Sequence, residues 1–258
     1  MICKKIPLDP NDESVYLNAY LNPEAKDSDA LLVIPGGGYS VVCGSWEGEP
    51  IANRFASLGF VCFELYYSIG EKALYPKPLV DAALAMKHIK DHAEEYGIDP
   101  ERVFALGFSA GGHLTGMLGT MWHREELHRA IPDMEYGYAK PRGVVLCYAV
   151  QSSTVWAHRG SIENLTGGGK TEEELRYYSI DASVDARSVP AFFWHTAEDQ
   201  TVPVQNTILT AAEYARLGIP FEVHIYPFGQ HGISLGDPEV HKGAVHWPEQ
   251  AALWMKRM

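Results

Sequence analysis

No stretch of this chain of 258 residues is apolar enough, for long enough, to span a bilayer. The opening segment, MICKKIPLDPNDESVYL, carries two lysines but no apolar core of signal-peptide length, so a cytoplasmic protein without a membrane partner is expected. Cysteine is scarce too. Cys3, Cys43, Cys62 and Cys147 show no C-x-x-C spacing, and the last two sit in apolar strand-like runs, which excludes a disulfide framework or zinc site and predicts buried free thiols. Positive charge is the third shortage. With 21 Lys and Arg against 33 Asp and Glu, the net charge of -12 speaks against nucleic acid as a partner and suits a neutral or cationic small substrate. Repeats and low-complexity tracts are absent.

What is present reads as a soluble globular chain, with 46% hydrophobic and 21% charged residues. Its length suits a single domain spanning residues 1–258. Apolar runs at 15–21, 30–34, 60–67, 103–106, 143–150, 190–196 and 221–227 read as strands. Helical spacing falls at 50–58, 78–96, from 110 onward, at 204–217 and at 248–256. Such alternation predicts an α/β fold, a mostly parallel central sheet with helices on both faces and sites at the carboxyl ends of its strands. Two stretches break the rhythm, 121–141 and 151–189. The second is read as a small partial cap over the site, with a short helix near 171–178.

The segment VFALGFSAGGHL turns abruptly from an apolar strand into small residues around one hydroxyl, Ser109. Gly107-Phe108-Ser109-Ala110-Gly111 has the form G-x-S-x-G. A strand-to-helix turn that tight strains its central residue and leaves room only for glycine two positions to either side. It also sets the serine oxygen over a helix N-terminus, where developing negative charge is favoured.

A serine hydroxyl needs a base, and the base needs an orienting group. After the strand PAFFWHT comes AEDQTVP, which offers Asp199 with Glu198 as its alternative; after FEVHIYP comes FGQHGISLG, which offers His231. The order Ser109, Asp199, His231 is that of α/β-hydrolases, each residue at the end of a different predicted strand. PGGGY, residues 35–39, follows the first buried strand, where oxyanion donors complementary to the Ala110 amide are expected. A phosphate cradle is the rival for those glycines, but neither G-x-G-x-x-G nor a P-loop lysine accompanies them.

The blocks VIPGGGY, EGEPIANRFASLGF, YPKPLVDAALAMKHIK, GIDPERVFALGFSAGGHL, HTAEDQTVP and GQHG together resemble α/β-hydrolase serine esterases similar to acetyl xylan esterases and other carbohydrate acetyl esterases. The resemblance covers most of the chain, about residues 30–235. It implies removal of short acyl groups, acetyl above all, from sugars such as xylo-oligosaccharides. It assigns Ser109 as nucleophile, Asp199 and His231 as its partners, and Gly37, Gly38 and Ala110 as oxyanion donors. Pro35 departs from it, because lipase-type relatives carry histidine there.

Tyr39, Trp46 and Trp156 are the aromatics expected to line the cleft and bind substrate. No metal or organic cofactor is expected. His88 and His92 have metal-ligand spacing but no third ligand in view, LTGGGKT at 165–171 fails the Walker spacing and reads as a turn, and His113 reads as a packing residue. Two other functions remain open: an amide hydrolase (aryl-formamidase or small peptidase) on the same triad, and a non-catalytic binding module.

Overall fold

The computed structural model describes residues 2–258. Its centre is an eight-stranded sheet in the order β1-β2-β4-β3-β5-β6-β7-β8. The strands are β1 (Ile2–Asp9), β2 (Asp12–Leu21), β3 (Ser28–Ile34), β4 (Val61–Tyr66), β5 (Ile98–Phe108), β6 (Val144–Cys147), β7 (Ala191–Thr196) and β8 (Phe221–Tyr226). From β4 to β8 in that order every pairing is parallel, whereas β1, β2 and β4 pair antiparallel.

The helices are α1 (Glu49–Ser57), α2 (Lys77–Asp91), α3 (Ala93–Tyr96), α4 (Ser109–Thr120), α5 (Glu125–Ala130), α6 (Arg159–Thr166), α7 (Glu172–Leu175), α8 (Gln205–Leu217) and α9 (Trp247–Arg257). Alternation along the strands feeds two cores. Leu32, Phe63, Ala105, Leu146 and Phe193 pack with α2, α4 and α8 on one face, while Leu31, Cys62, Leu106, Cys147 and Trp194 pack with α1 and α9 on the other. A mostly parallel sheet with helices on both faces is the arrangement that the alternation predicts.

Three differences from the sequence reading have physical causes. β1 was not anticipated: with Lys4, Lys5 and Pro7 it lacks an apolar run, and it forms by pairing locally with β2 as an outer hairpin strand. The helix read over 78–96 is broken at His92, and Gly97 closes the second piece in a left-handed conformation. The insertion between β6 and β7 holds two helices. α6 carries no apolar stripe in its sequence, since RGSIENLT is mostly polar and buries only Ser161, Ile162 and Leu165. α7 starts at the capping box of Thr171 and Glu174 and runs on into a 3₁₀ turn at Arg176–Tyr178.

Candidate active site

β5 ends at Phe108 and α4 begins at Ser109, whose φ of 52° lies in the left-handed region. The flanking glycines make that turn possible. A Cβ on Gly107 would fall 2.2 Å from Thr115 Oγ1, and one on Gly111 would fall 2.3 Å from the carbonyl oxygens of Ile34 and Pro35. Backbone cannot yield there, so the motif is sterically fixed.

His231, on the loop after β8, places Nε2 2.8 Å from Ser109 Oγ and Nδ1 2.6 Å from Asp199 Oδ2. Asp199 lies in the loop after β7. Its other oxygen, Oδ1, accepts the amides of Thr201 and Val202 at 3.0 and 2.9 Å. Burial pushes the Asp199 carboxyl up, but hydrogen bonds from His195 and His231 outweigh it and hold the group well below the carboxylate range. An ionised Asp199 only accepts, so His231 carries its proton on Nδ1 and Nε2 accepts from the Ser109 hydroxyl. Glu198, the other acid considered, points elsewhere: its carboxylate accepts the Gly229 amide at 3.1 Å.

The PGGGY loop lies directly against the serine, for a Cβ on Gly36 would fall 3.0 Å from Ser109 Cβ. Its carbonyls are occupied. Gly37 O accepts the amides of Ser40 and Val41, and Gly38 O accepts the side-chain amide of Asn164 in α6. The amides of Gly37 and Gly38 have no partner within the chain among the described residues. Ala110, second residue of α4, leaves its amide outside the helical ladder.

Of the three aromatics expected in the cleft, Tyr39 is a correction. Its side chain is wholly buried: the hydroxyl lies 2.9 Å from His113 Nδ1, and the ring packs edge-on against Tyr67 and His113. His113 Nε2 must donate to the Tyr178 carbonyl at 2.8 Å, so Tyr39 donates to Nδ1 and both serve the support beneath the loop. Trp46 is 56% exposed, with its indole N–H donating to Gly232 O beside the His231 loop. Trp156 is 38% exposed, and its carbonyl accepts the side-chain amide of Asn206 at 2.9 Å. A recess of about 410 Å³ opens on His231, lined also by Glu198, Gln200, Thr201 and Gln230.

Several residues of the site carried no sequence signal. His195 shares Asp199 Oδ2 at 3.2 Å with His231 and also donates to the Val202 carbonyl. Tyr148 stands edge-to-face with the His231 ring, 5.1 Å between centroids. Asn164 and Glu47 are likewise placed by contacts with residues distant in the chain. No group of three or more His, Cys, Asp or Glu could hold a metal among the described residues; His88 and His92 stack on each other on α2 and its C-cap. No described helix is long and apolar enough to cross a membrane.

The BD-FAE family model matches residues 17–213. The chain belongs to the BD-FAE family of α/β-hydrolase esterases. This BD-FAE chain is 36% identical over 230 residues to endo-1,4-beta-xylanase B of Butyrivibrio fibrisolvens, covering 88% of this chain and 36% of that protein. It is 28% identical over 240 residues to an acetylxylan esterase of Xylanibacter ruminicola, covering 90% and 47% respectively. The chain thus spans about a third to a half of those relatives. Among solved structures it is similar to an acetyl ester-xyloside bifunctional hydrolase from Caldicellulosiruptor lactoaceticus, at TM-score 0.87 and 31% identity over 98% of this chain and 96% of that one. The carboxylesterase Cest-2923 from Lactobacillus plantarum WCFS1 matches at TM-score 0.84 and 25% identity, over 100% and 98%.

Proposed function

We propose that this BD-FAE member is a serine esterase that removes acetyl and other short acyl groups from hydroxyls of carbohydrates. The observation that carries it is the continuous line Ser109–His231–Asp199, facing a loop with two unpaired glycine amides. His231 Nε2 takes the hydroxyl proton as Ser109 Oγ attacks the ester carbonyl. The oxyanion is held by the amides of Gly37, Gly38 and Ala110, and Asp199 stabilises the imidazolium. The imidazolium then gives its proton to the departing alcohol, leaving an acyl-enzyme. Water, deprotonated by the same nitrogen, attacks this ester and releases acid and Ser109.

The alcohol departs on the side of His231, where the recess is lined by a carboxylate, two amides and a hydroxyl. That lining offers hydrogen bonds to a polyhydroxylated leaving group. Relatives named for acetylxylan and acetyl ester-xyloside chemistry support the same assignment. The deciding experiment compares p-nitrophenyl acetate, butyrate and octanoate, then acetylated xylo-oligosaccharides. The expected result is a steep fall in kcat/KM with acyl length and turnover of the acetylated sugars, because a site of acetyl size would meet longer chains with overpacking strain in place of the gain of about 0.8 kcal/mol that each buried methylene otherwise brings. A rate that climbs to octanoate would replace the sugar deacetylase with a lipase-like carboxylesterase.

A further inference from the structure

Glu47 is a carboxylate 4% exposed, in the π-helical turn Gly44–Gly48. Its Oε2 accepts the Gly36 amide at 2.9 Å, so it grips the glycine loop that lies against Ser109. Its Oε1 accepts the Tyr148 hydroxyl at 2.7 Å. Tyr148 in turn accepts the Ser234 amide at 3.0 Å, which commits its single proton to Glu47. Both oxygens of Glu47 therefore face donors, an arrangement that suits the anion.

A buried anion without a cation is costly. Burial pushes the Glu47 carboxyl up, while the bonds from Tyr148 and Gly36, and the charge of His231, pull it part of the way back. Tyr148, whose hydroxyl Glu47 holds, stands edge-to-face with the His231 ring at 5.1 Å between centroids, so the carboxylate lies one tyrosine away from a group that becomes an imidazolium when it takes the serine proton. The anion is completed in the transition state and left unmatched before it, the condition under which an interaction accelerates a reaction.

We propose that Glu47 is a positioning residue, anchoring the oxyanion loop through Gly36 and the face of His231 through Tyr148, with its charge favouring the imidazolium. This rests on the serine-esterase reading. The other titratable groups around His231 are Asp199 with His195 behind it, Glu198 in the recess, and His158 from the insertion. Around Glu47 stand Cys43, Tyr67 and Cys147.

The test measures kcat, KM and the pH–rate profile on p-nitrophenyl acetate for Glu47→Gln and Tyr148→Phe, with fluorophosphonate labelling of Ser109 and thermal melts as controls. Glu47→Gln is expected to lose about tenfold in kcat with KM little changed, and its acidic limb should move to lower pH because a negative charge near His231 is gone. Tyr148→Phe keeps that charge, so kcat should fall while the limb stays in place. Wild-type kcat in either variant, or a Glu47→Gln loss with an unmoved limb, overturns the proposal. If Glu47→Gln does not fold, Tyr148→Phe decides alone: a fall in kcat at constant KM supports the proposal and unchanged kcat removes it. Failure of the unmodified enzyme to label at Ser109 would overturn the esterase reading and this inference together, whereas a labelled enzyme indifferent to Glu47 loses only the inference.

Discussion

Asn164, on the first helix of the insertion, donates its side-chain amide to the carbonyl of Gly38 at 2.8 Å. The insertion therefore holds the glycine loop from outside while Glu47 holds it from within. Donors aimed at an oxyanion act through preorganisation, so loosening them lowers turnover more than binding. Asn164→Ala should lower kcat on p-nitrophenyl acetate by about tenfold, with an unchanged melting temperature. Equal kcat in the two proteins would show that the loop keeps its shape unaided.

The nucleophile is tested directly. A fluorophosphonate should add one group to the enzyme at Ser109, and Ser109→Ala should lose on the order of 10⁴-fold or more in kcat with its fold intact. Mass spectrometry of the labelled peptide checks the site, and an adduct elsewhere would remove Ser109 from that role.

Asp199 and Glu198 are adjacent, yet their bonds differ in kind. Asp199→Asn replaces the acceptor that fixes the His231 tautomer, and about 10⁴-fold in kcat should be lost. Glu198→Gln retains an oxygen for the Gly229 amide and should stay within about threefold on a simple acetyl ester. Steady-state kinetics on both variants ranks them, and the reverse order would move the acid to Glu198.

His113 predicts a pH dependence of stability. Complete burial lowers it from 6.5 to about 4, so the folded protein keeps it neutral while the unfolded chain takes up a proton. Its contribution is full above pH 6.5 and is lost progressively as the pH falls toward 4, amounting to about 3 kcal/mol. His113→Gln should be less stable than the parent at pH 7, through its lost bonds to Tyr39 and Tyr178, and this gap should narrow by pH 4.5. Urea unfolding at the two pH values measures it; a gap that stays constant would mean that His113 is protonated in the fold.

The sequence exposed those parts of the fold and site that rest on local pattern. Ser109, Asp199 and His231 were readable as partners because each follows the carboxyl end of a different strand, and chain order restricts which of these positions can meet. The two unpaired glycine amides were readable for a similar reason, since PGGGY leaves no side chain to occupy the space. Tyr39 was misplaced because nothing in GGGY reveals that its backbone is left-handed, with φ of 60°, or that His113 waits beneath it. Glu47 was invisible since one more acid in a chain with 33 of them reads as solvated surface. β1 and α6 leave little trace in the sequence because their partners, not their own composition, stabilise them.

Of the five non-glycine residues with left-handed backbone among the described residues, four belong to the site or its supports, namely Ser109 itself, Tyr39 at the end of the glycine loop, Tyr148 against the His231 ring and Ser234, whose amide donates to Tyr148; the fifth is Asp27. Each such residue costs about 1–2 kcal/mol relative to a relaxed conformation. A glycine at 109 would relieve that cost at its site and abolish the nucleophile in the same step. Selection for thermal robustness alone would therefore erode this centre first, so thermostabilised variants have to be screened for turnover as well as for melting temperature.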